Sequence, residues 1–229
     1  MSSVLDYTDK LIEYVDECRK NNIKVLKPDI NKSSAYFTSE ESGIRYGLLA
    51  IKTLGMGVIS GILKERNENG EFKNLQDFCS RSAEIGVSKV SVEYLIKSGA
   101  FDGLGANRRQ MISNYEFLMD SASSFSKSNL EGQMGLFSEE NSPTAVDVEF
   151  KPEEEYRYAD LLCFEKFATG MYISGHPADP YKTALKLMHI PDALHVQSNL
   201  KEGVYSKNQV ISFFGAMDDI TVKLSLIHI

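Results

Sequence analysis

Two glycine-rich turns, each lying before a helical run and near basic residues, are the segments of this sequence best suited to bind an anion. The first is Gly55-Met56-Gly57, with Lys52 before it and Lys64 after it. Glycine permits positive φ and leaves nearby N–H groups uncovered, and N–H groups at a helix N-terminus bind phosphate oxygens. These residues predict contact with a nucleic-acid backbone without base readout, although a turn of this kind can also be purely structural.

A similar arrangement recurs further along the chain. A glycine-rich connection that includes Gly103 and Gly105 precedes a helical run with Arg108 and Arg109 in its first turn. Basic side chains at that position oppose the helix dipole, and a bound anion would offset the cost. We predict that both glycines and both arginines contact phosphate. The alternative is a pair of arginines that are simply exposed at the surface.

The residues that could otherwise ligate a metal ion or act in acid–base chemistry lack partners at suitable spacing. His176 stands in a Gly-His-Pro turn, and His189 and His195 follow it without a ligand motif between them. We therefore interpret His176 as a turn residue with a structural hydrogen bond. The three cysteines form neither a disulfide framework nor a zinc knuckle, which fits a reducing cytosol. We expect no metal or cofactor in this segment.

The elements that must position these residues are mostly helices. Apolar periodicity and glycine breaks predict helices over residues 8–21, in three or four segments between 44 and 120, near 161–167 and over 180–189. Residues 23–26 read as a short strand, and two further strands are expected within 208–224. Residues 121–152 are rich in Ser, Glu and Asn, which is typical of a flexible linker.

Composition and charge exclude several classes of protein. The chain has 229 residues, 42% of them hydrophobic, and no apolar run long enough to span a bilayer. A net charge of −7 argues against a protein that coats DNA along its length. The charge is segregated, however, with net +3 over residues 44–114 and −8 over 115–160. This segregation is compatible with local contact between the basic block and nucleic acid. It is also compatible with a solvated surface whose charges are distributed by chance.

Several motifs in one order resemble the alpha subunits of bacterial replicative C-family DNA polymerases. They are residues 14–31, the two glycine turns, Phe72–Cys79, Leu95–Asp102 and Gly170–Pro177. The resemblance runs from about residue 1 to 215. It implies a mainly α fold: a tandem helix-hairpin-helix domain, a flexible linker and a small α/β segment that leads into a truncated OB-like β region.

The resemblance also implies a division of the chain into five parts. Residues 1–43 correspond to the end of the fingers region and 44–120 to the helix-hairpin-helix DNA-binding domain. Residues 121–152 form an acidic linker, 153–205 a helical connector, and 206–229 the start of an OB domain. The catalytic palm, whose acidic residues bind two Mg²⁺ ions, lies upstream in this family, so we expect the segment alone to be inactive.

A short peptide in the expected linker resembles the family's clamp-binding peptide. Gln133 is followed by Leu136 and Phe137, two apolar residues in an acidic, Ser-rich stretch. A peptide of this kind places two apolar anchors in a groove while the glutamine bonds to the rim. The alternative is a local packing contact within this chain.

The resemblance therefore implies a cytoplasmic segment of a DNA-directed DNA polymerase that binds duplex DNA and the sliding clamp. Other replicase subunits are implied as partners, and no membrane is. The alternative is a protein-interaction scaffold that never contacts DNA. Salt dependence separates the two, because phosphate contacts weaken steeply with added salt.

Overall fold

The computed structural model describes residues 8–83, 85–130, 149–191, 193–206 and 208–214. Eight α-helices lie within these ranges: α1 Thr8–Lys20, α2 Met56–Asn69, α3 Leu75–Ser82, α4 Lys89–Ser98, α5 Arg108–Leu130, α6 Tyr158–Thr169, α7 Lys182–Leu187 and α8 Ala193–Lys201. The three strands are β1 Val25–Leu26, β2 Thr38–Glu40 and β3 Gly43–Arg45. The expectation of a mainly α fold is confirmed. None of the helices described is long and apolar enough to cross a membrane.

The chain divides into two compact units, residues 1–174 and 175–229. In the first unit α4 packs against both α5 and α6, and α3 packs against α5. Their apolar faces meet around Phe78, Leu95 and Phe101, which are fully buried. This arrangement fixes the α4–α5 hairpin between two other helices.

Local side chains explain where several helices begin and end. Ser88 caps α4 by accepting a hydrogen bond from Ser91 N at 3.1 Å, as an N-cap serine should. Asn74 caps α3 in the same way through Asp77 N. At the other ends, Gly99 after α4 and Gly170 after α6 take left-handed conformations.

A small sheet lies between α1 and α2 along the chain. The central strand β3 pairs in parallel with β1, with Val25 opposite Ile44, and antiparallel with β2, with Ser39 opposite Ile44. The sequence predicted β1 but missed the other two strands. Each has only three residues and neither shows an apolar alternation, so their pairing depends on tertiary contacts.

The structure differs from the sequence prediction before the first glycine turn. Helical segments were expected from residue 44 onward, but only the 3₁₀ turn Leu48–Ala50 forms before α2. The N–H groups of Leu48 and Leu49 donate to the carbonyls of Ser34 and Ala35, so the preceding loop provides their acceptors. Hydrogen bonds to the neighbouring loop therefore replace the intrahelical bonds that a longer helix would need at these two residues.

The expected linker also differs at both of its ends. Helix α5 continues to Leu130, ten residues into the segment predicted as linker from residue 121. At the other end, Phe150 packs against the core of the first unit. Residues 131–148 lie outside the described part of the chain.

The second unit contains a 3₁₀ turn, Asp179–Tyr181, followed by α7 and α8. The helix predicted over 180–189 corresponds to this turn with α7, whereas α8 was not predicted. In the region expected to start an OB domain, the described residues 208–213 form no strand, and Phe214 N donates to Pro191 O at 3.1 Å. The rest of the expected strands, from residue 215 onward, lies outside the described residues.

Candidate nucleic-acid interface

The first glycine turn leads directly into α2, which begins at Met56. The glycines of this turn were expected to have positive φ. Thr53 has positive φ instead, at 69°, whereas Gly55 has φ −86°. Gly57 is the second residue of the helix. In the described part of the chain, no side chain caps this end and no acidic residue occupies its first turn. The N–H groups of residues 56–58 precede the first intrahelical bond, from Ile59 N to Gly55 O, and the space where a side chain of Gly55 or Gly57 would begin is open.

The two lysines expected to flank this turn lie in different surroundings. Lys52 Nζ donates to Phe167 O at 3.1 Å, and its backbone N–H donates to Ala168 O, so it docks on the C-terminal end of α6. Lys64 lies in the middle of α2 with its side chain 73% exposed and a long ion pair to Glu68. Only Lys64 therefore offers a largely unengaged charge.

The second glycine turn has the positive φ values that the first lacks. Gly99 and Gly105 have φ of 83° and 86°, while Gly103 is exposed with open space where a side chain would begin. A Cβ at Gly99 would lie 2.2 Å from Arg108 Nη2. Glycine at position 99 is thus required both by its backbone conformation and by the close approach of the arginine.

Arg108 is buried, which corrects the expectation that its side chain points outward from the start of α5. It is 2% exposed, and its guanidinium forms two parallel hydrogen bonds to the carboxylate of Asp102, at 2.7 and 2.8 Å. It also donates to Lys97 O and lies 3.5 Å from Glu165 Oε1. Because all these partners belong to the protein, the side chain serves the fold and is not presented to a phosphate.

Electrostatics keep this buried cluster charged. Burial works against ionisation of Asp102, but hydrogen bonds and charge from Arg108, helped by Lys27, outweigh it and hold the pKa of Asp102 below its usual range. Burial likewise disfavours the Arg108 cation, yet Asp102 and then Glu165 outweigh it and raise the pKa of Arg108. The group is therefore an ion cluster in the folded protein.

Glu165, which sequence reasoning missed, anchors α6 in the same cluster. It is 1% exposed and accepts hydrogen bonds from the N–H groups of Ile173 and Ser174 and from the Ser174 hydroxyl. A glutamate within the apolar run of a predicted helix was the available signal, since a charge there needs a partner. Its partner could not be identified without the fold.

The N-terminus of α5 is occupied by a carboxylate from the same chain. Glu155 accepts hydrogen bonds from the N–H groups of Arg108 and Arg109, at 2.9 and 3.3 Å. Arg109 is exposed and holds its guanidinium 4.7 Å from the centre of the Tyr156 ring. The two glycine turns therefore differ: the helix end after the first is open, and the helix end after the second is filled.

The remaining predicted residues divide between described and undescribed parts. Gln133, Leu136 and Phe137 lie outside the described residues. His176 Nδ1 accepts a hydrogen bond from Ala178 N at 3.1 Å, which confirms a structural role in the turn. Within the described ranges, no group of three or more His, Cys, Asp or Glu residues could hold a metal ion. The Mg²⁺ implied by the resemblance therefore has no ligand set in those ranges.

Comparison with known proteins agrees with this geometry. A family model described as a helix-hairpin-helix motif matches residues 22–111, which include both glycine turns. The DNA polymerase III alpha subunit of Borreliella burgdorferi is 35% identical over 224 residues, 97% of this chain and 19% of that protein. That of Bacillus subtilis is 34% identical over 201 residues, 88% of this chain and 18% of that protein.

The corresponding subunit of Deinococcus radiodurans is 41% identical over 182 residues, 76% of this chain and 13% of that protein. The chain thus spans less than a fifth of the length of each of these relatives. With such identities over three quarters or more of its own length, the chain belongs to the family of DNA polymerase III alpha subunits.

Proposed function

We propose that this chain is a DNA-binding segment of a replicative polymerase subunit, which binds the phosphate backbone of duplex DNA and the sliding clamp in the cytoplasm. The names of the relatives and the helix-hairpin-helix match support DNA as the ligand. Nucleotidyl transfer is assigned to the longer protein. The segment alone should give no primer extension with Mg²⁺, and template-directed incorporation would contradict that assignment.

The observation that carries the proposal is the open N-terminus of α2. Three consecutive backbone N–H groups there precede the first intrahelical bond, and Gly55 and Gly57 place no side chain over them. The dipole of a 14-residue helix adds partial positive charge at this end. A phosphate oxygen fits such a site without any base contact, which suits a protein that holds duplexes of any sequence.

Basic side chains near the two turns supply the remaining charge. Lys64 and Arg109 are exposed, whereas Arg108 is withdrawn from the proposed contacts because it is buried in an ion cluster. Lys52 would have to leave its carbonyl partner at the end of α6 to reach DNA. Gly103 and Gly105 stay in the proposal as the exposed backbone of the second turn.

Salt titration of binding to two unrelated duplexes tests this function. Lys64→Gln and Arg109→Gln should each weaken binding by roughly three- to tenfold on both duplexes, and each should reduce the salt slope by about one. The matched control is Lys20→Gln, which removes the same charge from the exposed end of α1. It should leave the salt slope unchanged.

The same titration separates DNA binding from the scaffold alternative. A chain that binds only proteins should show no steep, salt-sensitive affinity for either duplex. Equal effects of all three substitutions would show that only net charge matters, and would contradict a defined contact at the glycine turns.

A further inference from the structure

Residues 149–157, here called the strap, run along the first turns of α5. Asn107 Nδ2 donates to Glu153 O at 2.6 Å, and Gln110 Nε2 donates to Lys151 O at 2.8 Å. Phe150 packs against the core at one end of the strap. The strap is therefore held on the second glycine turn by a short series of polar contacts and one apolar contact.

The carboxylate of the strap occupies the position that an anion would take at this helix end. Glu155 Oε2 accepts the backbone N–H of Arg108, and Oε1 accepts that of Arg109 together with that of Tyr156. These first-turn N–H groups have no acceptor inside the helix, so they are the donors that a phosphate would need. The next strap residue, Tyr156, places its ring against the Arg109 guanidinium. One segment thus contacts both the backbone donors and the exposed cation of this turn.

We propose that the strap is an internal phosphate mimic that closes the second glycine turn until a DNA phosphate displaces it. This inference rests on the proposed function. By its geometry the first turn is open to DNA from the start, whereas the second becomes available only when Glu155 leaves. Duplex binding is therefore expected in two stages, with the strap setting the strength of the second.

The charges around the turn stop opposing an anion once Glu155 has left. A cavity of about 390 Å³ beside the turn is lined by Lys27 and Arg108 and by the carboxylates of Asp102, Glu155 and Glu165. With Glu155 in place this lining carries an excess of negative charge, which repels a phosphate. Removal of that one carboxylate balances the remaining charges. The strap's side chains at 153–155 are exposed, so their departure uncovers little buried surface.

Glu155→Gln and Glu154→Gln form a matched pair for testing the strap in the full chain. Both changes remove one negative charge from adjacent exposed residues, but only Glu155 contacts the N–H groups of α5. Glutamine keeps the shape and an acceptor, so the fold should be retained, as a thermal melt can verify. Glu155→Gln should bind duplex DNA about three- to tenfold more tightly than Glu154→Gln and show a steeper salt slope.

Amide hydrogen exchange gives a second readout that does not depend on affinity. In Glu155→Ala the amides of Arg108 and Arg109 should exchange faster than in wild type, and saturating duplex DNA should restore their protection. In Glu154→Ala the same amides should be protected with or without DNA. Exchange at these amides that does not respond to DNA in Glu155→Ala would contradict displacement by phosphate.

The outcomes distinguish this inference from the proposed function. If both glutamine variants change affinity and salt slope equally, while wild type still shows steep salt dependence, the strap does not control the second turn and the inference is overturned. If neither wild type nor any variant binds duplex DNA at low salt, the proposed function fails and the inference fails with it.

Discussion

The guanidinium of Arg108 connects three parts of the first unit. It bonds to the carbonyl of Lys97 at the end of α4, to Asp102 in the glycine-rich turn and, through charge, to Glu165 in α6. Glu165 in turn holds the backbone of residues 173–174. Arg108 was expected to contact DNA. Its side chain instead fixes the geometry of the second glycine turn, whose exposed backbone could make such a contact.

Arg108→Ala should be strongly destabilising because it leaves Asp102 without its two-point partner and the buried Glu165 without a neighbouring cation. Breaking a buried ion pair from one side costs about 3–5 kcal/mol. The neighbouring Arg109→Ala is the control: it removes an exposed guanidinium and its ring contact, worth about 0.5–1 kcal/mol. Urea unfolding of both variants measures the difference, and equal losses would show that the buried cluster adds nothing to stability.

The cluster should also make stability depend on pH. The pKa of Asp102 is held below its usual value in the folded protein, so its contribution is fully present above the unfolded value of about 3.9 and is lost as pH falls through the lower folded pKa. The stability gap between wild type and Asp102→Asn should therefore be largest at neutral pH and should shrink below pH 4. Urea unfolding of both proteins across that range checks the sign, and a gap that widens in acid would contradict it.

At the scale of elements, the two glycine turns differ in what they require of glycine. Gly57 lies inside α2 with open space around it, whereas Gly99 ends α4 in a left-handed conformation against Arg108. Gly57 therefore has a helical backbone conformation that other residues can also adopt. Gly99 couples a helix end to the buried ion cluster.

Alanine at these two positions should therefore have opposite effects on stability. Gly57→Ala should raise the free energy of unfolding by about 0.5–1 kcal/mol, since alanine favours the helix. Gly99→Ala should lower it by more than about 2 kcal/mol, because it combines positive φ with a clash against a side chain that is already hydrogen-bonded. Thermal and urea unfolding measure both, and a stable Gly99→Ala would show that the turn can rearrange.

How much of the fold could be predicted depended on how local the signals were. The N-cap serine of α4 and the glycine after α6 are local signals that mark helix ends by themselves. The ion pair of Arg108 with Asp102 spans only six residues, but the contact of Arg108 with Glu165 spans 57 residues and could not be predicted without the packing of α6. The capping of α5 by Glu155 is similarly distant, at 47 residues. In both cases a long-range partner satisfies groups that local reasoning left for a ligand.

At the scale of the whole molecule, the basic block is less available than its net charge indicates. Much of its positive charge is used internally: Arg45 pairs with Glu40, Arg81 with Glu65, and Arg66 donates to backbone carbonyls. DNA binding through the few remaining cations and one open helix end should be modest. A second attachment on the same chain would then strengthen retention on DNA considerably.

The peptide Gln133–Phe137 is our candidate for that second attachment, through the sliding clamp. Leu136 and Phe137 should fill apolar pockets while Gln133 sets the register, and truncation of hot-spot anchors costs about 2 kcal/mol or more each. The double change Leu136→Ala with Phe137→Ala should therefore abolish capture by a sliding clamp in a pull-down, whereas Met134→Ala, within the same peptide, should bind as wild type does. Duplex binding without the clamp should hardly change in either variant, because the peptide lies outside the basic block. Equal capture of the double variant and wild type would identify the peptide as a chance match.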